Sequence, residues 1–440
     1  RELIKILQVR NVDSFVESRR QKTSEKDRKT VQSILNDVRK NGDSAVKKYE
    51  RKFNGETYYG AAGVNLRVDR KPRYRPRGKY FQKTTEAQRD ALRSSARRLG
   101  DIQRRLMKGL VGSVKNLPGV SFIPISSVGC YVPGGQARYP SSAIMSAFTA
   151  QAAGVERIVI TTPPGPDGNV DPLTLLVAGW CEAEIYKVGG AQAIGALAYG
   201  TKTIPRVDKI VGPGGKFVSI AKSLVSDQTS IDMIAGPTEL GIIVDSSADP
   251  ELVAYDLVSQ AEHSNDTMCF VITTSKIMAK QIQKLLEKLI AENTTGERIL
   301  TGYERGIIVK QSISKNGFIA VCKNQNQVID LANKIAPEHM ELMVKNPRKL
   351  SKKLTGPGLI LLGKNTPSSA SDYLLGTNHI LPTNGFGRTR GGLSVLDFLK
   401  LQTVVETGKG DLEQISEQLK ILTDAEGFPN HFRAVERRLD

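Results

Sequence analysis

The chain has 440 residues, 39% of them hydrophobic and 25% charged, and its formal net charge at pH 7 is +18. This composition is typical of a folded globular protein and excludes a chain that is disordered throughout. No run of about 18 apolar residues predicts a membrane-spanning helix, and the first residues lack the apolar segment of a secretory signal peptide.

The first 120 residues are predicted to be mostly helical, and they carry all of the excess positive charge. They hold 31 Lys and Arg residues against 13 Asp and Glu residues, whereas the rest of the chain is neutral. Helical apolar spacing over Val31–Val38 ends at Asn41-Gly42, and residues 84–109 predict a second helix after a threonine cap. The basic segment 71–79 could bind nucleic-acid phosphates, or it could be a solvated loop.

From residue 120 onward, short β-branched runs alternate with alanine-rich helical stretches. The predicted strands are 157–161, 184–188, 209–211, 240–245 and 268–273, and the predicted helices are 142–153, 173–183, 191–199, 217–225, 250–262 and 276–291. This alternation is typical of an α/β protein with mostly parallel sheets. The last stretch, 412–440, predicts a short helix followed by a tail.

The histidines are few, and each lies in a polar or Gly/Pro-flanked context: His263, His339, His379 and His431. A single histidine of this kind is usually a solvated surface residue, but four in such contexts indicate a shared site. Gln260 and His263 are three residues apart at a predicted helix end, so their side chains share a face and could bind a metal. Asp372 and His431 could complete the shell, because zinc accepts mixed nitrogen and oxygen ligands.

Glu338 and His339 form a second candidate pair directly after Pro337, at a point where a helix could begin. Adjacent side chains do not face one direction, so the pair could serve two separate chemical steps. Histidine is the natural base near neutral pH, and the carboxylate beside it could activate water. The alternative is a solvated Glu-His pair at a capped helix end.

Two glycine-rich turns connect a predicted strand to a predicted helix, Val188-Gly-Gly190 and Val211-Gly-Pro-Gly-Gly215. Backbone N–H groups at a helix start can bind phosphate. Neither turn has the Gly-x-Gly-x-x-Gly spacing of a dinucleotide site, so turns without a ligand are an equal alternative. A third Gly/Pro loop, residues 129–135, carries Tyr131.

In chain order, these segments resemble the histidinol dehydrogenase family. The motifs that carry the resemblance are Gly129-Cys-Tyr-Val-Pro-Gly-Gly135, Val188-Gly-Gly-Ala-Gln-Ala-Ile194, Val207-Asp-Lys-Ile-Val-Gly-Pro-Gly214, Ala235-Gly-Pro-Thr-Glu239, Ser259-Gln-Ala-Glu-His263, Ala336-Pro-Glu-His339, Asp372-Tyr373, Gly376-Thr-Asn-His379, Arg390-Gly-Gly-Leu-Ser394 and Ala425-Glu-Gly427. They lie within residues 120–440, and the first 120 residues match only by their helical pattern.

The resemblance implies an α/β fold with two Rossmann-like domains of mostly parallel sheets, a helical N-terminal segment, a small C-terminal tail domain and an intertwined homodimer. The expected boundaries are an arm at 1–24, a large domain of 25–130 and 241–392 with the metal and catalytic residues, an inserted NAD-binding domain at 131–240, and a tail at 393–440. The tail is expected to complete the partner's active site.

The implied activity is the last step of L-histidine biosynthesis, in which L-histidinol is oxidised to L-histidine through L-histidinaldehyde while two NAD are reduced. One zinc ion per subunit is implied, with ligands at Gln260, His263, Asp372 and His431, and Glu338 and His339 are the implied catalytic base and acid. The implied substrate contacts are Thr238, Gln260, His263, Glu338, His339, Asp372, His379, Glu426 and His431. The implied cofactor contacts are Tyr131, Gln192 and Gly215.

The chain departs from the family at Gly215, where Asn is usual, so one side-chain contact to NAD is expected to be missing. Thr238 replaces the common Ser but keeps the hydroxyl. Two alternatives remain: a paralogue that oxidises another amino or polar alcohol, and a nucleic-acid-binding protein that uses the basic residues 1–120. The widely spaced cysteines include no Cys-x-x-Cys pair, which predicts reduced thiols and a cytoplasmic location without membrane contact.

Overall fold

The fold is described by a computed structural model that covers residues 3–20, 24–54, 65–69, 79–134, 138–165, 167–234, 236–295 and 303–440. Residues 71–78 of the predicted basic segment lie outside these ranges. In chain order, strands β1 to β14 are Lys5–Gln8, Arg67–Asp69, Val120–Pro124, Ser127–Tyr131, Arg157–Thr162, Glu184–Lys187, Lys209–Val211, Ser230–Ile231, Glu239–Val244, Met268–Thr273, Phe318–Val321, His339–Met343, Leu359–Leu362 and Leu399–Thr403.

The helices fill the intervals between these strands. In chain order, α1 to α18 are Val12–Glu17, Glu25–Asn41, Asp43–Asn54, Lys79–Gln82, Glu86–Ser113, Pro140–Ala143, Thr149–Ala153, Pro172–Trp180, Gly190–Tyr199, Lys216–Val225, Pro250–Ala261, Lys276–Thr295, Tyr303–Asn316, Gln325–Ile335, Pro347–Ser351, Ser368–Ser371, Lys409–Ala425 and Pro429–Leu439. A π-helical turn at Ile144–Phe148 joins α6 to α7, and two 3₁₀ turns lie at Phe386–Arg388 and Val395–Phe398.

The first sheet is parallel throughout and has the strand order β1-β11-β10-β9-β12-β13. Its central strands are buried on both faces because helices cover each side. Successive side chains of β10 alternate between two cores, so Val271 packs in the cluster with α11 and α12, while Phe270 and Ile272 pack in the cluster with α14. This pattern confirms the predicted α/β class.

The second sheet has the order β2-β6-β5-β4-β7-β8, and only β2 is antiparallel to its neighbour. Helices α2 and α3 contribute to its core together with α9. An added Cβ at Gly195 of α9 would lie 3.1 Å from Leu35 Cδ2, so the glycine permits the close approach of α2. Helices α2 and α3, which lie within the range 25–130 expected for the large domain, pack in the core beside this second sheet.

Residues 108–123 and 400–440 form a second compact unit, in which β3 pairs with β14 and α17 packs against α18. The prediction of a tail after one short helix was wrong, because the chain forms two helices here. Gly427 has a φ of +75° and separates them, and Pro429 begins α18 at a position where its missing N–H costs no hydrogen bond.

The local structure around Glu338 also differs from the prediction. Residues 339–343 form a fully buried strand between β9 and β13, not the start of a helix. Ala336, with a φ of +48°, ends α14 just before Pro337. The sheet therefore overrides the local helix-start signal, since the strand completes the parallel ladder between its two neighbours.

The strong helix predictions are confirmed. Helix α2 ends at Asn41, before Gly42 with a φ of +53°. Helix α5 begins with reciprocal caps, in which the Gln88 N–H donates to Thr85 Oγ1 and the Thr85 N–H donates to Gln88 Oε1. The four cysteines are buried free thiols, and no helix among the described residues is long and apolar enough to cross a membrane.

Candidate active site

The predicted catalytic pair lies at the amino-terminal edge of the first sheet. His339 is the first residue of β12, and Glu338 directly precedes it. Gln260 lies in the last turn of α11, His263 follows that helix, and Asp372 ends α16. Five residues from three distant parts of the chain therefore come together.

Asp372 is the centre of this cluster because its two oxygens approach two histidines. Its Oδ2 lies 4.0 Å from His263 Nε2, and its Oδ1 lies 3.3 Å from His339 Nε2. The carboxylate is buried, yet the neighbouring histidines hold its pKa below the usual value against the opposing effect of burial.

His263 presents one ring nitrogen to the site. Its Nδ1 lies 3.0 Å from the carbonyl oxygen of Gln260, which makes Nδ1 the donor and leaves the Nε2 lone pair facing Asp372. Zinc binds imidazole nitrogen and carboxylate oxygen at about 2.0–2.2 Å each, so atoms 4.0 Å apart can share one ion. The pair is thus compatible with the implied metal.

Gln260 supplies a further observation in favour of a metal. Its Nε2 and Asp372 Oδ1 are buried and have no hydrogen-bond partner among the described residues. Gln260 Oε1 accepts a hydrogen bond from the Ser368 hydroxyl at 3.4 Å. With the two amide atoms exchanged, the NH₂ group would donate to the Ser368 hydroxyl oxygen, and the amide oxygen would face the site, where it could bind a cation.

Within the described residues, no group of three or more His, Cys, Asp or Glu side chains is arranged to hold a metal. The proposed set differs from such a group because it includes an amide. His263 and Asp372 are of the residue types just named, and Gln260 would add the third donor. The fourth predicted ligand, His431, and the predicted substrate contact Glu426 belong to the second compact unit, where both are exposed.

The imidazole of His339 is buried, and neither ring nitrogen has a hydrogen-bond partner of good geometry in the described part of the chain. Burial alone lowers its pKa, but the carboxylates of Asp372 and Glu338 outweigh this effect and raise the pKa to about 9. His339 Nδ1 lies 3.9 Å from Glu338 Oε2. Both members of the pair can therefore act on one bound substrate.

Glu338 is held by a second buried carboxyl group that belongs to Glu239. Glu338 Oε2 accepts the Glu239 N–H at 3.0 Å, and Glu239 Oε2 accepts the Glu338 N–H at 3.3 Å. Burial raises the pKa of Glu338 to about 7, against the opposing effects of His339 and the Glu239 N–H. A carboxyl group with this pKa can accept a proton near neutral pH.

His379, which the resemblance implies as a substrate contact, lies beside Asp372. Its Nδ1 is 2.8 Å from the Asp372 carbonyl oxygen, and its Nε2 is 3.2 Å from Ser142 Oγ. Burial lowers the pKa of His379, and the charges of His339 and His263 add to this effect, whereas Asp372 opposes it through its charge and its carbonyl oxygen. Thr238, another predicted contact, directly precedes Glu239 and is half-buried at the same edge of the first sheet.

The predicted cofactor residues lie beside a separate cavity of about 750 Å³ at the second sheet. Tyr131, Gln192 and the Gly189-Gly190 turn line this cavity together with Lys29 and Lys52 of the N-terminal helices. The Tyr131 hydroxyl accepts the Gly190 N–H at 3.1 Å. Gly215 does not line the cavity, but its close neighbour Phe217 does, and a Cβ at Gly215 would enter open space.

Several residues of these sites have no signal in the sequence. The buried Glu50 accepts hydrogen bonds from the Gly189 N–H and from Gln192 Nε2, so it positions the predicted cofactor turn. Glu341 Oε1 accepts the Ser368 N–H at 2.6 Å, and Ser368 in turn contacts Gln260. Glu239 belongs to the motif Ala235-Gly-Pro-Thr-Glu239, but its position in the sequence does not predict a role for it.

Over most of its length, the chain is similar to proteins of one family. The sequence model of one family, described as histidinol dehydrogenase, matches residues 17–439. A relative named histidinol dehydrogenase from Methanococcus maripaludis is 41% identical over 414 residues, which cover 93% of each chain. Another of that name from Synechococcus sp. is 38% identical over 413 residues, covering 93% of this chain and 91% of the relative.

A solved structure is similar over the whole length. The crystal structure of histidinol dehydrogenase from Elizabethkingia anophelis superposes with a TM-score of 0.85 at 30% sequence identity. The match covers 100% of this chain and 98% of that one. The structural similarity therefore includes the first 120 residues, although the sequence motifs of the family lie only within residues 120–440.

Proposed function

The chain belongs to the histidinol dehydrogenase family, and we propose that it oxidises L-histidinol to L-histidine through L-histidinaldehyde, with reduction of two NAD. The activity is that of an oxidoreductase that converts an alcohol to an acid, within L-histidine biosynthesis. The observation that carries the assignment of the site is Asp372, whose two oxygens face His263 and His339. Its carboxylate thereby joins a metal-binding group to a proton-transfer group. The names of the relatives favour this reaction over oxidation of another alcohol and over nucleic-acid binding.

We propose that Gln260, His263 and Asp372 bind one zinc ion, with His431 as the fourth ligand. When bound, zinc orients the substrate as a template and NAD accepts hydride. Tyr131 and Gln192 are the proposed cofactor contacts, and the cavity beside them is large enough for a small-molecule ligand. Gly215 offers only its backbone N–H at the start of α10.

The proton transfers are assigned to the chain's own residues. His339 takes the hydroxyl proton of the alcohol in the first oxidation. A cation bound to Asp372 would withdraw negative charge from His339 and so lower its pKa toward the range of a base. Glu338 then takes a proton from the water that adds to the aldehyde, and the second oxidation yields the acid. Thr238 and His379 are the proposed additional substrate contacts from this unit.

The reaction is tested by following NADH formation from L-histidinol before chelator treatment, after it, and after zinc is added back. We expect about two NADH per L-histidinol, loss of activity with the chelator and recovery with zinc. Absence of NADH from the folded, zinc-loaded protein would contradict the proposed substrate and would favour another amino alcohol.

We further propose a homodimer in which Glu426 and His431 of one subunit complete the partner's site. The second compact unit supports this proposal because it exposes large apolar side chains that a partner can cover. They include Leu401, Val404, Val405, Ile421 and Leu422, with exposed fractions of 58%, 64%, 82%, 62% and 60%.

Mixing two inactive variants tests the shared site. His339→Asn and His431→Asn are each expected to be inactive alone, whereas their mixed dimers would contain one site without a mutation. Random exchange of subunits should restore about a quarter of the wild-type activity for a two-fold dimer. If each tail served its own subunit, every site would carry one defect and no activity would return.

A further inference from the structure

Glu239 occupies the position opposite Glu338 at the start of two neighbouring parallel strands. His339 of β12 pairs with Leu240 of β9, so Glu338 and Glu239 face each other one step before this register begins. At that end of a parallel ladder, backbone N–H groups have no further strand residue to bond. They must be satisfied by other groups when they are buried.

The two glutamates satisfy this requirement reciprocally. Each carboxyl group accepts the backbone N–H of the other residue, at 3.0 Å and 3.3 Å. The second oxygen of Glu239, Oε1, accepts the Asn384 N–H at 2.9 Å. Asn384 has a φ of +53° and follows the segment that carries His379. The Glu239 carboxyl group therefore joins the backbone of Glu338 to the end of that segment.

Both carboxyl groups are buried, with exposed fractions of 4% for Glu239 and 7% for Glu338. Burial raises the pKa of Glu239 to about 8, while the Asn384 N–H opposes this effect and the charge of Glu338 adds to it. Two such groups do not ionise together easily in a medium of low dielectric constant, and their titrations belong to the pair.

The charged neighbours of the pair come from several elements. His339 faces both glutamates and favours their ionised forms, while Asp372 faces Glu338 and opposes ionisation. On another side, Arg19 lines the same small cavity as Glu239, near the end of the N-terminal segment. These charges therefore act on the titration of the two carboxyl groups together.

We propose that Glu239 is a positioning residue for Glu338. Its carboxyl group fixes the backbone of Glu338, and its own backbone N–H holds the Glu338 carboxyl group in place. This inference rests on the proposed role of Glu338 in activating water. Glutamine cannot replace Glu239 fully, because its NH₂ group would face one of the two backbone N–H groups, either that of Glu338 or that of Asn384.

The test compares Glu239→Gln with Glu338→Gln and with Glu184→Gln, a control that removes a strand-start carboxyl group in the second sheet. Pre-steady-state NADH formation is measured separately from L-histidinol and L-histidinaldehyde in the zinc-loaded dimer. We expect Glu239→Gln to slow aldehyde oxidation about 10- to 100-fold, which is the usual effect of removing a residue that orients another residue of the site. Alcohol oxidation should change by less than about threefold, and Glu184→Gln should leave both steps unchanged.

The pH dependence of aldehyde oxidation provides a readout that a merely structural role would not move. The wild-type profile should show the coupled titration of two carboxyl groups, whereas Glu239→Gln, which keeps only one of them, should show a single inflection. An unchanged ratio of the two steps together with an unchanged pH profile would overturn the inference. If Glu239→Gln does not fold, Glu239→Asp serves instead, since its shorter carboxyl group cannot reach both N–H groups.

The Glu338→Gln variant distinguishes a wrong role for Glu239 from a wrong role for Glu338. If Glu338→Gln slows aldehyde oxidation but Glu239→Gln does not, only the role of Glu239 is wrong. If Glu338→Gln itself leaves aldehyde oxidation unchanged, the proposed role of Glu338 is wrong, and the positioning role of Glu239 is overturned with it.

Discussion

Replacing His263 with Asn is expected to release zinc and to reduce L-histidinol oxidation by more than about 100-fold. Loss of a residue that only orients a metal ligand reduces activity by up to about 100-fold, and loss of a ligand itself should have a larger effect. The asparagine NH₂ group can still donate to the Gln260 carbonyl oxygen, which now accepts from His263 Nδ1. It cannot replace Nε2, which faces Asp372 Oδ2 and is the proposed metal-binding atom. The variant should therefore fold but lose one ligand, and metal content is measured together with activity.

His379→Asn is the matched control for this experiment. Its NH₂ group can likewise replace Nδ1 as the donor to the Asp372 carbonyl oxygen, and His379 is not a proposed ligand. We expect this variant to retain zinc and to show mainly a higher KM for L-histidinol. Full zinc content and wild-type activity in His263→Asn would contradict the assignment of the metal site.

Replacing Glu338 with Gln should slow the oxidation of L-histidinaldehyde by about 10²- to 10⁴-fold, the usual contribution of a general base. The amide keeps an oxygen that can accept the Glu239 N–H, but it can no longer take a proton from water. Oxidation of L-histidinol to the aldehyde should be reduced much less, because His339 takes that proton. Single-turnover rates from each substrate measure the two losses separately.

His339→Asn is the comparison that completes this test. Its ring is the proposed base of the alcohol step and lies beside Glu338, so we expect both steps to be slowed. Equal losses of the two steps in Glu338→Gln would contradict the assignment of Glu338 to water activation. If Glu338→Gln slowed only the alcohol step, Glu338 would be the base of that step and His339 the residue that activates water.

Local patterns predicted the elements of the fold well where the sequence itself carries the determining interactions. The Thr85 cap and Gly42 stop act within a few residues, and both delimit helices as predicted. The buried strand 268–273 followed from a continuous apolar run that is typical of a parallel sheet. The proline-based prediction failed at His339, because pairing with β9 and β13 outweighs the local preference.

The class of the fold, the family and the residue types of the site could be predicted from the amino-acid sequence, because ordered motifs and periodic patterns are local properties of the chain. Which atoms meet could be learned only from the folded chain. Parallel strands bring Glu239 beside Glu338 across 99 residues, and the end of α16 brings Asp372 to His263 and His339. Such pairings depend on strand order and register, which arise when distant segments are buried together, so no spacing along the chain could show them.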